Sequence, residues 1–179
     1  VMDCDEDGVY FLTARGKGFY HRLKARGYIA ITGIKGSDTM SSLAISVRGK
    51  VEELGKERLD RLLRKNPYMF GIYPSEESRK ALSAFRLHEG SGEYFDLSIR
   101  PIARIGFSFR GNEYNHGYEF MIAESCTGCG LCLNACPQGC IDSGTVPFSI
   151  IGRHCLLCGR CADICPVKAI ARRGDNDDT

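Results

Sequence analysis

A chain of 179 residues with a net charge of +2 is long enough to bury a core, and its charge points to neither nucleic acid nor a membrane surface. Its 43% hydrophobic and 26% charged content fits a soluble globular protein. No apolar run approaches the roughly 18 residues of a membrane span and the opening residues do not read as a signal peptide, so the expected location is the cytoplasm.

In chain order, Val1-Met2-Asp3-Cys4-Asp5 reads as the middle of a strand, with Cys4 a plain strand residue rather than a redox thiol. Val9 to Thr13 is β-branched and aromatic, a strand. Phe19 and Leu23 fall four apart in a helix reaching Arg26, which Gly27 can close. Strands follow at Tyr28 to Thr32 and at Leu43 to Val51. Glu57 to Lys65 carries Leu59, Leu62 and Leu63 on one helical face and stops before Pro67. Ser75 can cap a helix opening Glu76-Glu77. Ala84 to His88 and Glu93 to Ser98 read as a hairpin around Gly90-Ser91-Gly92. Short strands with small helices between them suggest a barrel-like sheet over residues 1–110. A polar, turn-like linker at 111–117 separates it from a cysteine-rich part at 118–174, and the acidic tail 175–179 is expected to be disordered. The fold class is α+β.

The ten cysteines are not spread through the chain as in a secreted disulfide scaffold. Only Cys4 and Cys140 stand outside two runs, Cys126, Cys129, Cys132, Cys136 and Cys155, Cys158, Cys161, Cys165. The second run repeats the first at a shift of 29 residues, which also takes Ile122 to Ile151, Gly130 to Gly159, Pro137 to Pro166 and Ile141 to Ile170. Two such copies predict a pseudo-symmetric pair of strand–helix–strand units. Each run is C-x2-C-x2-C-x3-C-P, the ligand spacing of [4Fe–4S] clusters in which the fourth cysteine serves the other cluster. On that rule Cys126, Cys129, Cys132 and Cys165 hold one cluster, and Cys155, Cys158, Cys161 and Cys136 the second. Zinc also takes C-x2-C pairs, but a zinc ribbon needs two pairs, not two runs of four ending in proline. These runs resemble two-cluster bacterial ferredoxins over residues 118–174.

Cys140 answers to Ala169 in the repeat, so it reads as a buried small hydrophobe near a cluster, not a ninth ligand. Arg153, His154, Arg160, Lys168, Arg172 and Arg173 read as a solvated basic face. A docking patch for an acidic redox partner, or a local field favouring the reduced cluster, is the sharper alternative.

Earlier in the chain, Gly8 to Lys17 is a strand followed by a hydroxyl and two cations, and Thr13, Arg15 and Lys17 alternate along one side of an extended segment. Such a set can hold a phosphate dianion by charge-assisted bonds. With the following helix, the apolar strand and Ile45-Ser46-Val47-Arg48-Gly49-Lys50-Val51, the order resembles the FMN-binding split barrel of the pyridoxamine 5′-phosphate oxidase-like family. That resemblance implies FMN phosphate held by Thr13, Arg15 and Lys17, with Ser41 and Ser42 as weaker flavin contacts. It also implies a homodimer with each FMN between subunits. The chain opens at what looks like the strand after the family's first hairpin.

The combined reading is an iron–sulfur flavoprotein moving single electrons between two clusters and FMN, and on to a small substrate or a partner protein. Oxygen-sensitive clusters suggest an anaerobic or microaerobic host, and oxidase activity toward pyridoxamine phosphate is not expected. The rival reading is a ferredoxin-type carrier whose barrel is a binding or dimerisation module, or takes haem or a deazaflavin. His21, His88 and His116 are then the candidate haem ligands outside the cluster part. No general acid or base can be argued from spacing.

Overall fold

The computed structural model describes residues 1–111 and 119–173. The linker read at 111–117, all but its first residue, and the acidic tail lie outside the described residues, as does His116. Strands β1 (Asp3–Asp5), β2 (Gly8–Ala14), β3 (Tyr28–Lys35), β4 (Leu43–Leu54), β5 (Leu82–Asp96) and β6 (Ala103–Phe109) form one sheet in the order β1-β2-β5-β4-β3, with β6 also on β5. The chain groups into two compact units: Val1–Ile31, Val47–Gly92 and residues 108–111 in the first, Thr32–Ser46, Glu93–Phe107 and residues 119–173 in the second. Among the described residues no helix is long and apolar enough to cross a membrane.

In the first unit the opening residues supply β1, antiparallel to β2 with Asp3 opposite Tyr10. Alternation along β2 sends its side chains to two apolar clusters. Tyr10 packs with Leu62 and Ala84, and Phe11 with Leu23 and Phe85, the two phenyl rings stacked at 5.7 Å. Helix α1 (Gly18–Arg26) supplies Leu23 and closes on Gly27, whose φ of 61° is the left-handed conformation a glycine takes freely. Helix α2 (Lys56–Lys65) buries Leu62 and Leu63 from the predicted face and ends at Asn66. After the single turn α3 (Met69–Ile72), Ser75 caps α4 (Glu76–Arg79) by accepting from the Ser78 N–H.

One expectation fails here. Gly90-Ser91-Gly92 is not a hairpin turn: β5 runs unbroken from Leu82 to Asp96. The glycines answer to close backbone approach instead. A Cβ on Gly90 would lie 2.1 Å from the Arg48 carbonyl oxygen, and one on Gly49 2.0 Å from that of Glu89. Glycine marks where the backbones of β4 and β5 come closest, and a residue with a side chain at either position would push the strands apart.

In the second unit, Asp38 caps a 3-10 turn at Thr39–Ser41 by accepting from the Met40 and Ser41 N–H groups. The cysteine-rich part is built from β7 (Phe120–Ile122), α5 (Leu131–Ala135), β8 (Ile141–Asp142), β9 (Ser149–Ile150), α6 (Arg160–Asp163) and β10 (Ile170–Arg172). β7 pairs β10 antiparallel and β8 pairs β9, so each half's first strand is closed by the other half's last. This is the predicted pseudo-symmetric pair. Its core is small: Cys132, Ile141, Phe148 and Ile170, flanked by further cysteines.

Candidate functional site

The repeat is stricter in backbone than in sequence. Three left-handed positions of the first half, Gly128, Gly130 and Gly139, recur at the same 29-residue shift as Leu157, Gly159 and Lys168, with φ of 70°, 79° and 58° against 57°, 78° and 51°. Leu157 and Lys168 hold a conformation that costs an L-residue roughly 1–2 kcal/mol. Both halves therefore bend to one template, and the bends turn the cysteine side chains inward.

The result is two small cavities, each of about 20 Å³. Cys126, Cys129, Cys132 and Cys165 line the first, with Ile122, Phe148 and Ile170 as apolar walls. Cys136, Cys155, Cys158 and Cys161 line the second, with Phe120, Ile141, Ile150 and, as a fifth sulfur, Cys140. We call them site I and site II. In each, two cysteines come from one loop, a third from the helix that follows it, and the fourth from just past the helix of the other half.

The donor set fits iron–sulfur clusters. Burial pushes the Cys132 and Cys161 thiols up, and neighbouring thiolates add to the shift: Cys126, Cys129 and Cys165 act on Cys132, and Cys155 and Cys158 on Cys161. Thiolates so assembled need a cation among them. Burial also raises Cys136, but the N–H groups of Cys140, Gln138 and Gly139 outweigh it and hold that thiol below its ordinary value. Among the described residues, no three of His, Cys, Asp and Glu converge on a point that could hold one metal ion. Two runs of four cysteines, each ending in proline and each lining a cavity with a cysteine of the other run, suit cubanes rather than zinc ions.

Two side chains flanking site II tie a sheet segment to it. The Gln138 Oε1, two residues past Cys136, accepts the Ile102 N–H at 3.0 Å. The His154 Nδ1, one residue before Cys155, donates to the Ile102 carbonyl at 3.0 Å, while its Nε2 accepts from Arg153 Nε at 3.2 Å. His154 is thus half-buried and structural within the basic run, whereas Arg153, Arg160, Lys168, Arg172 and Arg173 are exposed. No sequence signal marks Gln138 or Ile102 for this role.

The residues expected at a flavin are dispersed. Thr13, next to last in β2, is buried opposite Ser83. Arg15 donates through Nε to the Ser83 hydroxyl at 2.8 Å, and Lys17 stands exposed at the N-terminus of α1, which has no side-chain cap and no acidic residue in its first turn. Arg15 also lines a cavity of about 620 Å³ with Lys56, Arg64, Arg79 and Phe70; single-residue reading picks out none of these four, because they meet only in the fold. Ser41 and Ser42 belong to the other unit, and both hydroxyls are engaged by Asp38, that of Ser41 at 2.7 Å from Oδ2 and that of Ser42 on the carbonyl. His21 is exposed and His88 half-buried.

No curated protein proves similar to this chain. Residues 117–170 match the family model of the 4Fe-4S dicluster domain. The chain therefore carries a 4Fe–4S dicluster ferredoxin domain in its C-terminal region, and with it the role of an iron–sulfur electron carrier.

Proposed function

We propose that the chain carries electrons through two [4Fe–4S] clusters, one at site I on Cys126, Cys129, Cys132 and Cys165, the other at site II on Cys155, Cys158, Cys161 and Cys136, and exchanges them with FMN. The observation that carries the cluster assignment is the crossed lining of the two cavities. Each cluster supplies one-electron exchange. The residues around it supply apolar walls on the buried side, leave Cys129 and Cys158 exposed, and donate backbone N–H groups to sulfur: Cys140 to Cys136, Leu157 to Cys155 and Ala169 to Cys165. Such donors favour the more negative, reduced state.

FMN belongs to this reading through Thr13, Arg15 and Lys17. What supports it is an uncapped nine-residue helix start with two cations beside it, a combination that attracts phosphate. The proposed assembly is a homodimer. Exposed Ile34, Ile45 and Ile105 in the second unit support it, since a second copy would cover apolar area that water otherwise meets. One observation favours the rival of a carrier with a non-catalytic sheet: Ser41 and Ser42 spend their hydroxyls on Asp38.

The test compares FMN with riboflavin. The wild type should bind FMN far more tightly, and Lys17→Ala, by losing one charge-assisted bond of roughly 1.5–3 kcal/mol, should weaken FMN about ten- to a hundredfold while leaving riboflavin unchanged. Equal binding of the two by the wild type removes the phosphate site. With FMN bound, Cys155→Ser with Cys158→Ser should slow flavin reduction by a reduced ferredoxin-type donor. An unchanged rate means the clusters do not feed the flavin.

A further inference from the structure

The two halves of the dicluster domain provide an internal control. Cys136 and Cys165 each leave the helix of their half and each accept a backbone N–H from the residue four positions on, from Cys140 at 3.4 Å and from Ala169 at 3.2 Å. Backbone and spacing agree. The side chains at those donors do not. Cys140 Sγ lies 3.4 Å from Cys136 Sγ, whereas Ala169 presents only a methyl group to site I. Both positions are closed to water, at 3% and 2% exposure, so no solvent molecule can make up the difference. Site II thus has five sulfurs and site I four.

A cysteine bound to iron is a thiolate and has no hydrogen to give, so the S–H of the pair sits on Cys140, which faces Cys136 and also Cys155, both ligands of site II. Adding one electron to a cluster adds one negative charge, part of it on the ligand sulfurs. A donor aimed at such a sulfur stabilises the reduced form more than the oxidised one, and more so away from water.

We propose that Cys140 is a redox-tuning residue: its buried S–H donates to the Cys136 sulfur and raises the reduction potential of site II above that of site I. The inference rests on the cluster reading given above and goes past it by ranking the two centres. With one electron supplied by an external reductant, site II fills first. The electron then rests at the centre whose flanking residues, Gln138 and His154, hold the Ile102 segment. Cys140 acts through Cys136 and ligates no iron.

The test is an anaerobic redox titration of the full-length, cluster-loaded chain, with dithionite as reductant and the two clusters followed by electron paramagnetic resonance. Cys140→Ala copies the alanine that the other half already tolerates at this place. It should shift the site II midpoint to lower potential and leave site I unmoved. Cys140→Ser, which keeps a donor, should retain most of the wild-type value. Ala169→Cys should shift the site I midpoint upward, and this arm stands even if Cys140 variants fold poorly. Midpoints unmoved in both Cys140→Ala and Ala169→Cys overturn the proposal, as does loss of iron from site II in Cys140→Ala, which would make Cys140 a ligand. A wild-type chain without iron defeats the cluster reading itself, whereas a loaded chain with unmoved midpoints defeats only the role of Cys140.

Discussion

The first unit and the dicluster domain are held together by different physics. In the first, Tyr10, Phe85, Leu62 and Leu87 are fully buried between a sheet and helices of nine and ten residues, and apolar burial of that kind stabilises by about 25 cal/mol per Å². In the second, strands of two or three residues and helices of four or five enclose four core side chains, one of them a cysteine. Elements that short do not hold by themselves. The cysteines that stand where a core would be take over its task once iron joins them, so cofactor loading and folding are one process there.

The largest effect that could break this comparison is removal of iron. Anaerobic protein should contain about eight iron and about eight acid-labile sulfide per chain. Stripping them with a chelator should abolish amide-exchange protection in β7, β8, β9 and β10 while β2 and β5 keep theirs. Protection surviving in both regions would show that the domain has a core of its own. The converse test is Leu62→Ala, which should cost the first unit roughly 2–5 kcal/mol and leave the visible cluster absorption intact. Next comes Gly90→Ala. Its Cβ would meet the Arg48 carbonyl oxygen, and the overpacking should cost about 1–3 kcal/mol in denaturant unfolding of the first unit. A neutral result would restore the turn reading of Gly90-Ser91-Gly92.

The smallest effect is electrostatic. Burial works to raise the Glu53 carboxyl, but the Lys24 ammonium and the hydroxyls of Ser83 and Tyr20 outweigh it and hold the group below the usual carboxylate value. A depressed acid contributes stability above its unfolded pKa and loses it as pH falls through the folded one. Glu53→Gln should therefore cost roughly 0.2–1 kcal/mol near neutrality and progressively less in acid. A difference that grows on acidification would contradict the assignment.

Legibility followed the same divide. The dicluster region was readable because its determinants are local: a ligand run is a few residues long, and its 29-residue repeat gives the pairing of halves. What stayed hidden there was the left-handed Leu157 and Lys168, since nothing in those residue types announces the conformation. Also hidden were the hydrogen bonds to Ile102, which join residues far apart in sequence. The 29-residue repeat marks Cys140 as buried, which it is, but nothing in the sequence brings its sulfur to Cys136. In the sheet, α1 and α2 followed from apolar spacing, Gly27 and Pro67. A glycine before a turn and one at a close approach of two strands look alike in sequence, as at Gly90; its pairing with Gly49 is visible only in the fold. Thr13, Arg15 and Lys17 were grouped by alternation, yet Arg15 turns to Ser83, a partner that sequence distance conceals.

The two clusters are crossed between the halves, and the electron paramagnetic resonance spectrum of reduced Cys165→Ala reports on that crossing. Cys165 follows the run of Cys155, Cys158 and Cys161 in sequence but lines the cavity of Cys126, Cys129 and Cys132. Its loss should remove the cluster at site I and leave the spectrum of site II, matching the residual spectrum of Cys129→Ala and differing from that of Cys158→Ala. A Cys165→Ala spectrum that matches Cys158→Ala instead would place all four ligands of each cluster on one run and contradict the crossed arrangement.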